Sequence, residues 1–234
     1  MPQLLARSAA PVVYGKGYDM GGMYRLNEGL RWQADETMLV AADGATFTTP
    51  HLAAGYRVTP ERHTVLRKAA DVARFAALPD PDLDPAAGTA PRIVCIANLH
   101  PRKRLGDLIL ALARVRAAVP GAELRLVGGG TLEEADRLHG LAREHDVIGA
   151  VSLAGVVADV APEVAAARVV ALPSSCEGVP TALIEGMAAG RPVVATDVGH
   201  VSSLVHDGVE GFLVTPGDVP ALADRLTRLL TQPA

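Results

Sequence analysis

From residue 92 onward the apolar positions follow two alternating rhythms. Short runs rich in Val, Ile and Leu at 92–97, 123–127, 151–154, 168–172, 192–196 and 211–214 read as strands. Between them Leu105, Leu108, Ile109, Leu112 and Val115 recur at three- and four-residue spacing, as do Leu132, Ala135, Leu138 and Ala142. That second rhythm marks helices with one apolar stripe. Six strands separated by five helical segments predict an α/β fold with a doubly wound parallel sheet. Ligands of such sheets bind beyond the carboxyl ends of the strands, near the point where strand order reverses. The loops directly after each strand are therefore where chemistry is expected.

The pattern breaks at 78–90, LPDPDLDPAAGTA, where Pro, Asp and Gly crowd together. We read it as a linker between residues 1–77 and a binding domain at 91–234. Asp80, Asp82 and Asp84 alternate within it, but the prolines at 79, 81 and 85 keep the segment extended, so no metal site is expected there. Before the linker, 31–41 reads as a helix running into 37–40, and a turn at Pro60 leads into a strand at 64–66. Roughly 80 residues are too few for a second domain of the same type, which needs about 100–150. No internal repeat is visible.

Composition narrows the picture. Apolar residues make up 49% of the 234-residue chain and aromatics only 3%, so the core must be built from Ala, Val and Leu. The formal net charge of −4 argues against nucleic acid as a partner, because phosphate backbones need a basic face. No stretch approaches the ~18–20 apolar residues of a transmembrane helix, and residues 1–11 lack a secretory pattern, so a cytoplasmic protein is expected. Cys95 and Cys176 have no CxxC partner and read as small buried hydrophobes. The seven histidines, His100 and His200 among them, show no metal-ligand spacing. Gly128–Gly129–Gly130 lacks the third glycine of a GxGxxG dinucleotide fingerprint.

The most informative stretch is 174–199, SSCEGVPTALIEGMAAGRPVVATDVG. A strand ends at Leu172, and a helix is expected to begin at Pro180 and to be closed by Gly190. The N–H groups at 179–183 would then be free to bind an anion. Two carboxylates bracket that site, Glu177 in the loop and Glu185 in the helix. From position 180 to 185 a helix advances about 7.5 Å, comparable with the distance from a sugar to a ribose across two phosphates. A carboxylate suits vicinal hydroxyls, whereas on a phosphate it would be repulsive.

This segment resembles the retaining glycosyltransferases of GT-B family 4 and their E-x7-E motif, which Glu177 and Glu185 match in spacing. The resemblance implies a Rossmann-like donor domain in which Glu177 contacts the transferred sugar and Glu185 binds the ribose. Backbone amides around Gly178, Val179, Pro180, Thr181 and Leu183 would hold the diphosphate. The loop 96–105, IANLHPRKRL, is similar to the family loop that places an Arg and a Lys on the donor phosphates. Lys103 matches the Lys. Asn98 stands where Arg is common, so Arg102 or Arg104 would supply the second charge. Within the resemblance the glycine triplet is a close-packed corner, and the base sits against the loop 155–159.

The similarity is strong over 91–230 and weak upstream, where VLRKAADVARF at 65–75 looks like the family's interdomain connector with Lys68-Ala69 in place of Asn-Gly. Most of the acceptor-binding domain is expected to be missing. The resemblance thus implies transfer of a hexose-type sugar from a nucleotide-diphosphate sugar without a metal or other cofactor. Glu177 and Lys103 would be the catalytic pair, and a partner chain or self-association would complete the cleft. A nucleotide-sugar-binding protein without turnover or a truncated inactive transferase, and a sugar-nucleotide epimerase of the same fold, are the competing expectations.

Overall fold

The computed structural model describes residues 70–79 and 91–232 throughout, together with the backbone of three short strands nearer the amino terminus. The chain forms two compact units, Met1–Lys68 and Ala69–Ala234. In the first, strands β1 (Val13–Lys16), β2 (Gly44–Phe47) and β3 (His63–Val65) pair in parallel in the order β1-β2-β3. Strand β3 begins one residue ahead of the 64–66 expected from the sequence. The helix expected at 31–41 and the carboxylates at 80, 82 and 84 lie outside the described residues.

The second unit opens with helix α1 (Val72–Ala76) and continues into strand β4 (Arg92–Ile96). There follow α2 (Leu105–Ala118), β5 (Glu123–Val127), α3 (Leu132–Glu144), β6 (Val151–Gly155), α4 (Ala161–Ala165) and β7 (Val169–Leu172). Then come α5 (Thr181–Ala188), β8 (Val193–Thr196), β9 (Gly211–Val214) and α6 (Val219–Thr231). The six strands are parallel and lie in the order β6-β5-β4-β7-β8-β9. This is the doubly wound, Rossmann-like sheet that the pattern predicts. Growth runs outward from β4 to β6, then restarts on the other side with β7, so strand order reverses between β4 and β7. Right-handed crossovers on either side of that point put helices on both faces.

Burial follows from this topology. Every residue of β7 and of β8 is buried, as expected for central strands covered on both faces. On α2, Leu105, Leu108, Ile109, Leu112 and Val115 are each at most 1% exposed, the same five positions that carry the apolar stripe. Burying each of these side chains contributes about 1.5–3 kcal/mol, far more than helix propensity supplies. Helices α3 and α6 pack against α2, whereas α1 packs against α5. A separate cluster joins Phe75 of α1 to Ala161 and Val164 of α4 and to Ala189 after α5.

Three expectations change in detail. The β8-to-β9 connection carries only a 3₁₀ turn, Val201–Ser203, so of the five helical segments between the strands four are α-helices. Strands β7 and β8 begin at Val169 and Val193, one residue later than expected, although the Arg168 N–H still donates to Arg92 O at 2.9 Å and Pro192 O accepts from the Val170 N–H at 3.1 Å. Helix α1 falls on the carboxyl side of the division at Lys68, although the sequence placed it before the linker. Phe75, 3% exposed, is the reason: its ring is part of the second unit's interior.

Candidate functional site

Two loops meet at the reversal point. The first leaves β4, and the glycine triplet after β5 determines its path. The N–H groups of Ala97 and Leu99 donate to Val127 O at 2.8 Å and Gly129 O at 2.7 Å. A Cβ on Gly128 would stand 2.1 Å from Ala97 O, and one on Gly130 would stand 2.4 Å from Leu99 Cβ. Only bare backbone allows so close an approach. The triplet is thus a packed corner, as the family resemblance implies.

Past that corner, His100 Nδ1 accepts from the Arg102 N–H at 3.2 Å and starts a 3₁₀ turn at Pro101–Lys103. Arg104 then adopts φ 49°, an uncommon conformation for a residue with a side chain, and the chain enters α2. Its guanidinium is committed, with Nε donating to Asp107 at 2.8 Å. Of the two arginines proposed to replace the charge absent at Asn98, Arg104 is therefore turned to α2, while Arg102 stays in the loop. Asn98 itself is exposed.

The second loop leaves β7. Thr196 Oγ1, buried at the end of β8, donates to Ser174 O at 2.5 Å. The Ser175 N–H and hydroxyl both donate to Arg102 O, at 2.8 and 3.1 Å, and tie the two loops together. Gly199, at φ 58°, closes the far side: a Cβ there would stand 1.8 Å from Glu177 O. Between these supports the Lys103 ammonium donates to the Glu177 carboxylate. The two side chains are 15% and 10% exposed, so the pair is largely withdrawn from water.

Cys95 lies beneath this pair at the end of β4. Burial pushes its thiol up to about 12; nearby Lys103 pulls the other way and Glu177 reinforces the rise. It is the buried hydrophobe expected of it. Cys176 is only half-buried, because it sits in the loop and not in the strand.

Helix α5 begins one residue later than expected. Pro180 is its N-cap, extended at φ −76°, ψ 107°, with no side-chain cap. The Leu183 N–H donates to Pro180 O at 3.2 Å, and the Leu183 side chain is fully buried. Leu183 thus belongs to the core, not to the set of free amides. Pro180 has no N–H to offer. That leaves the loop N–H groups of Gly178 and Val179 and the first-turn N–H groups of Thr181 and Ala182, at the end of a helix where N–H groups lack intrahelical partners. At the other end Gly190 takes φ 70°, its N–H donates to Met187 O at 3.0 Å, and the Arg191 N–H donates to Gly186 O at 2.9 Å. That is the expected glycine closure. Glu185 is half-buried on α5; burial raises its pKa, and the positive charge of Arg74 opposes the rise.

The structure therefore brings Lys103, Glu177 and the start of α5 together. Gly199, Thr196, Ser175 and the pairing of Arg74 with Asp159 were not singled out by sequence reasoning. Gly199 was visible in the segment, but its left-handed backbone was not. Among the described residues no three His, Cys, Asp or Glu side chains gather to hold a metal, and no helix is long and apolar enough to cross a membrane.

Residues 90–232 match the family described as glycosyl transferases group 1, which is more than half the chain. The chain belongs to that family. It is 32% identical over 173 residues to glycogen synthase of Mycobacterium tuberculosis, covering 73% of this chain and 40% of the relative. It is 34% identical over 152 residues to the GDP-mannose-dependent alpha-(1-6)-phosphatidylinositol monomannoside mannosyltransferase of the same species, covering 61% and 39%. The structure of Anabaena Alr3699/HepE in complex with UDP-glucose superposes with a TM-score of 0.78 at 25% identity, covering 97% of this chain and 66% of that one. The chain thus spans about two fifths of the length of these curated relatives.

Proposed function

We propose that this group 1 family domain binds a nucleotide-diphosphate sugar and acts as the donor half of a retaining hexosyltransferase. The observation that carries the reading is the Lys103–Glu177 pair, which joins the loops after β4 and β7 at the amino end of α5. An ammonium and unpaired first-turn amides together favour a diphosphate. Lys103 also screens Glu177 from that diphosphate, so a carboxylate can stand beside it and accept hydrogen bonds from sugar hydroxyls. Glu185, further along α5, faces the ribose in this reading, and Asn98 and Arg102 border the phosphates.

Transfer would depend chiefly on stabilising the departing diphosphate, through Lys103 and the amides of Gly178, Val179, Thr181 and Ala182, with Glu177 orienting the sugar. No metal is required in this scheme, because an ammonium and amide dipoles already oppose the developing charge. In this reading a partner chain or self-association would complete the cleft around an acceptor. The nucleotide-sugar named for the Anabaena structure and the GDP-mannose dependence of the mycobacterial relative support a nucleotide-sugar donor, and they differ in nucleotide.

Calorimetric titration with UDP-glucose, GDP-mannose and ADP-glucose tests the reading. Saturable binding of one of them is expected, weakened at least about tenfold by Lys103→Ala and by Glu185→Ala. Binding of none removes the proposal. Equal binding by the Glu185 variant removes the ribose assignment. Binding without turnover alongside any acceptor chain would leave a nucleotide-sugar-binding protein, and release of an altered sugar without acceptor would indicate an epimerase.

A further inference from the structure

The loop that carries Lys103 is fixed at both ends. At its start the Leu99 N–H donates to Gly129 O at 2.7 Å, and at its end Leu105 is buried in the core. The first turn of α2 has little room to shift, because a Cβ on Gly106 would stand 3.1 Å from Leu141 Cδ2 of α3. Residues 100–104 must carry the chain between these anchors, and they do so with a 3₁₀ turn that runs straight into α2. Arg104 belongs to both. Its N–H donates to Pro101 O at 3.0 Å and closes the turn, while its carbonyl accepts from the Asp107 N–H at 2.9 Å and opens the helix.

It does so at φ 49°, ψ 38°. Among the described residues only Arg104 and Asp146 combine a side chain with a positive φ, and aspartate tolerates that region better than arginine does. Such a backbone persists only where its surroundings over-determine it. Here they do. Arg104 Nε donates to Asp107 Oδ2 at 2.8 Å, and Nη2 lies against Gly217 in the loop after β9, 3.0 Å from where a Cβ on that glycine would stand. Adjacent side chains therefore part: Lys103 goes to Glu177 in the loop after β7, and Arg104 goes to α2 and the loop after β9.

We propose that Arg104 is a positioning residue for Lys103, acting through its left-handed backbone and not through its charge. The bend at Arg104 sets the Lys103 ammonium on Glu177, and the contacts with Asp107 and Gly217 hold the bend. The effect on ligand affinity rests on the donor reading above; the effect on the Lys103–Glu177 pair does not. A residue at 104 that binds phosphate by its charge would instead be indifferent to which uncharged side chain replaces it.

Two measurements on the full chain test it, each comparing Arg104→Gly, which takes a left-handed backbone freely, with Arg104→Val, which resists it. The first follows the Lys103 ammonium by nitrogen-15 NMR without ligand, with Lys103→Met to assign the signal. A hydrogen-bonded ammonium is expected in the wild type and in Arg104→Gly, and a free-lysine signal in Arg104→Val. The second titrates UDP, GDP and ADP calorimetrically. Arg104→Gly should weaken the nucleotide that binds about twofold, through the freedom a glycine adds, and Arg104→Val at least about tenfold. In the Lys103→Met background Arg104→Val should weaken it no further, which a merely structural role would not produce. Should Arg104→Val fold poorly, Arg104→Ala meets the same backbone restriction with less bulk and carries the comparison. Equal losses in the glycine and valine variants overturn the proposal, as does a hydrogen-bonded Lys103 in Arg104→Val, a free-lysine signal in the wild type, or an undiminished loss without Lys103. If the wild type binds no nucleotide, the donor reading itself fails, and the ammonium signal still decides whether Arg104 sets Lys103 on Glu177.

Discussion

Any side-chain carbon placed on Gly199 would stand 1.8 Å from the carbonyl oxygen of Glu177. The loop after β8 therefore serves as a wall for the loop after β7, and only a glycine fits at their contact. Its φ of 58° adds a second reason, since side-chain-bearing residues in that region cost about 1–2 kcal/mol. The obstructing atom is backbone and cannot rotate away. Gly199→Ala is expected to lose about 3 kcal/mol or more of stability and to displace Glu177 from Lys103. Denaturant unfolding gives the first quantity, and nucleotide titration of the remaining folded protein gives the second. A variant as stable as the wild type would show that the two loops separate freely.

Lys103 and Glu177 should prove strongly coupled. Each is at most 15% exposed, so removing one partner leaves the other largely desolvated, at a cost of about 2–4 kcal/mol. Lys103→Met and Glu177→Gln should each destabilise by about that amount, while the double variant recovers much of the loss. A double-mutant cycle of unfolding free energies reads the coupling directly, and additive losses would mean that the pair is not formed in solution.

Glu185 should make the fold more stable in acid than at neutral pH. Burial raises its folded-state pKa above the unfolded one, with Arg74 opposing the rise. Below the unfolded pKa both states are protonated and the desolvation cost is absent. As pH rises through the folded pKa the carboxylate ionises and that stability is lost. Glu185→Gln is therefore expected to melt above the wild type at pH about 7, and the gap should close as pH falls below the ordinary carboxylate range, about 4. Calorimetric melting at several pH values checks both the sign and the window.

Gly186 sets how near α5 lies to the sheet. A Cβ there would meet Val170 Cγ2 at 2.9 Å and Val170 Cβ at 3.1 Å. Alanine would gain about 1 kcal/mol of helix propensity but overpack a buried, β-branched neighbour by about 1–3 kcal/mol. Packing should win, so Gly186→Ala is expected to destabilise on its own and to become neutral or stabilising together with Val170→Ala. Equal effects in both backgrounds would show that α5 simply moves outward.

Within 91–232 the strands, the stripe of α2 and the glycine closure of α5 were all legible from residue order, because each is a local periodicity or a single-residue backbone requirement. The two acids at 177 and 185 and the lysine at 103 were legible too, as residue types at a spacing. Their relationships were not. That Lys103 reaches Glu177 depends on strand order, since β4 and β7 are neighbours only after two outward crossovers and a return. That Leu183 is core, that Arg104 is taken by Asp107, and that Arg74 pairs with Asp159 across 85 positions depend on which faces meet once the sheet is covered. Local pattern decides what a segment becomes, because backbone hydrogen bonds and apolar periodicity act over a few residues. Which charges find each other is decided by packing, because a side chain's partner is whatever the folded chain carries to within a few ångströms of it.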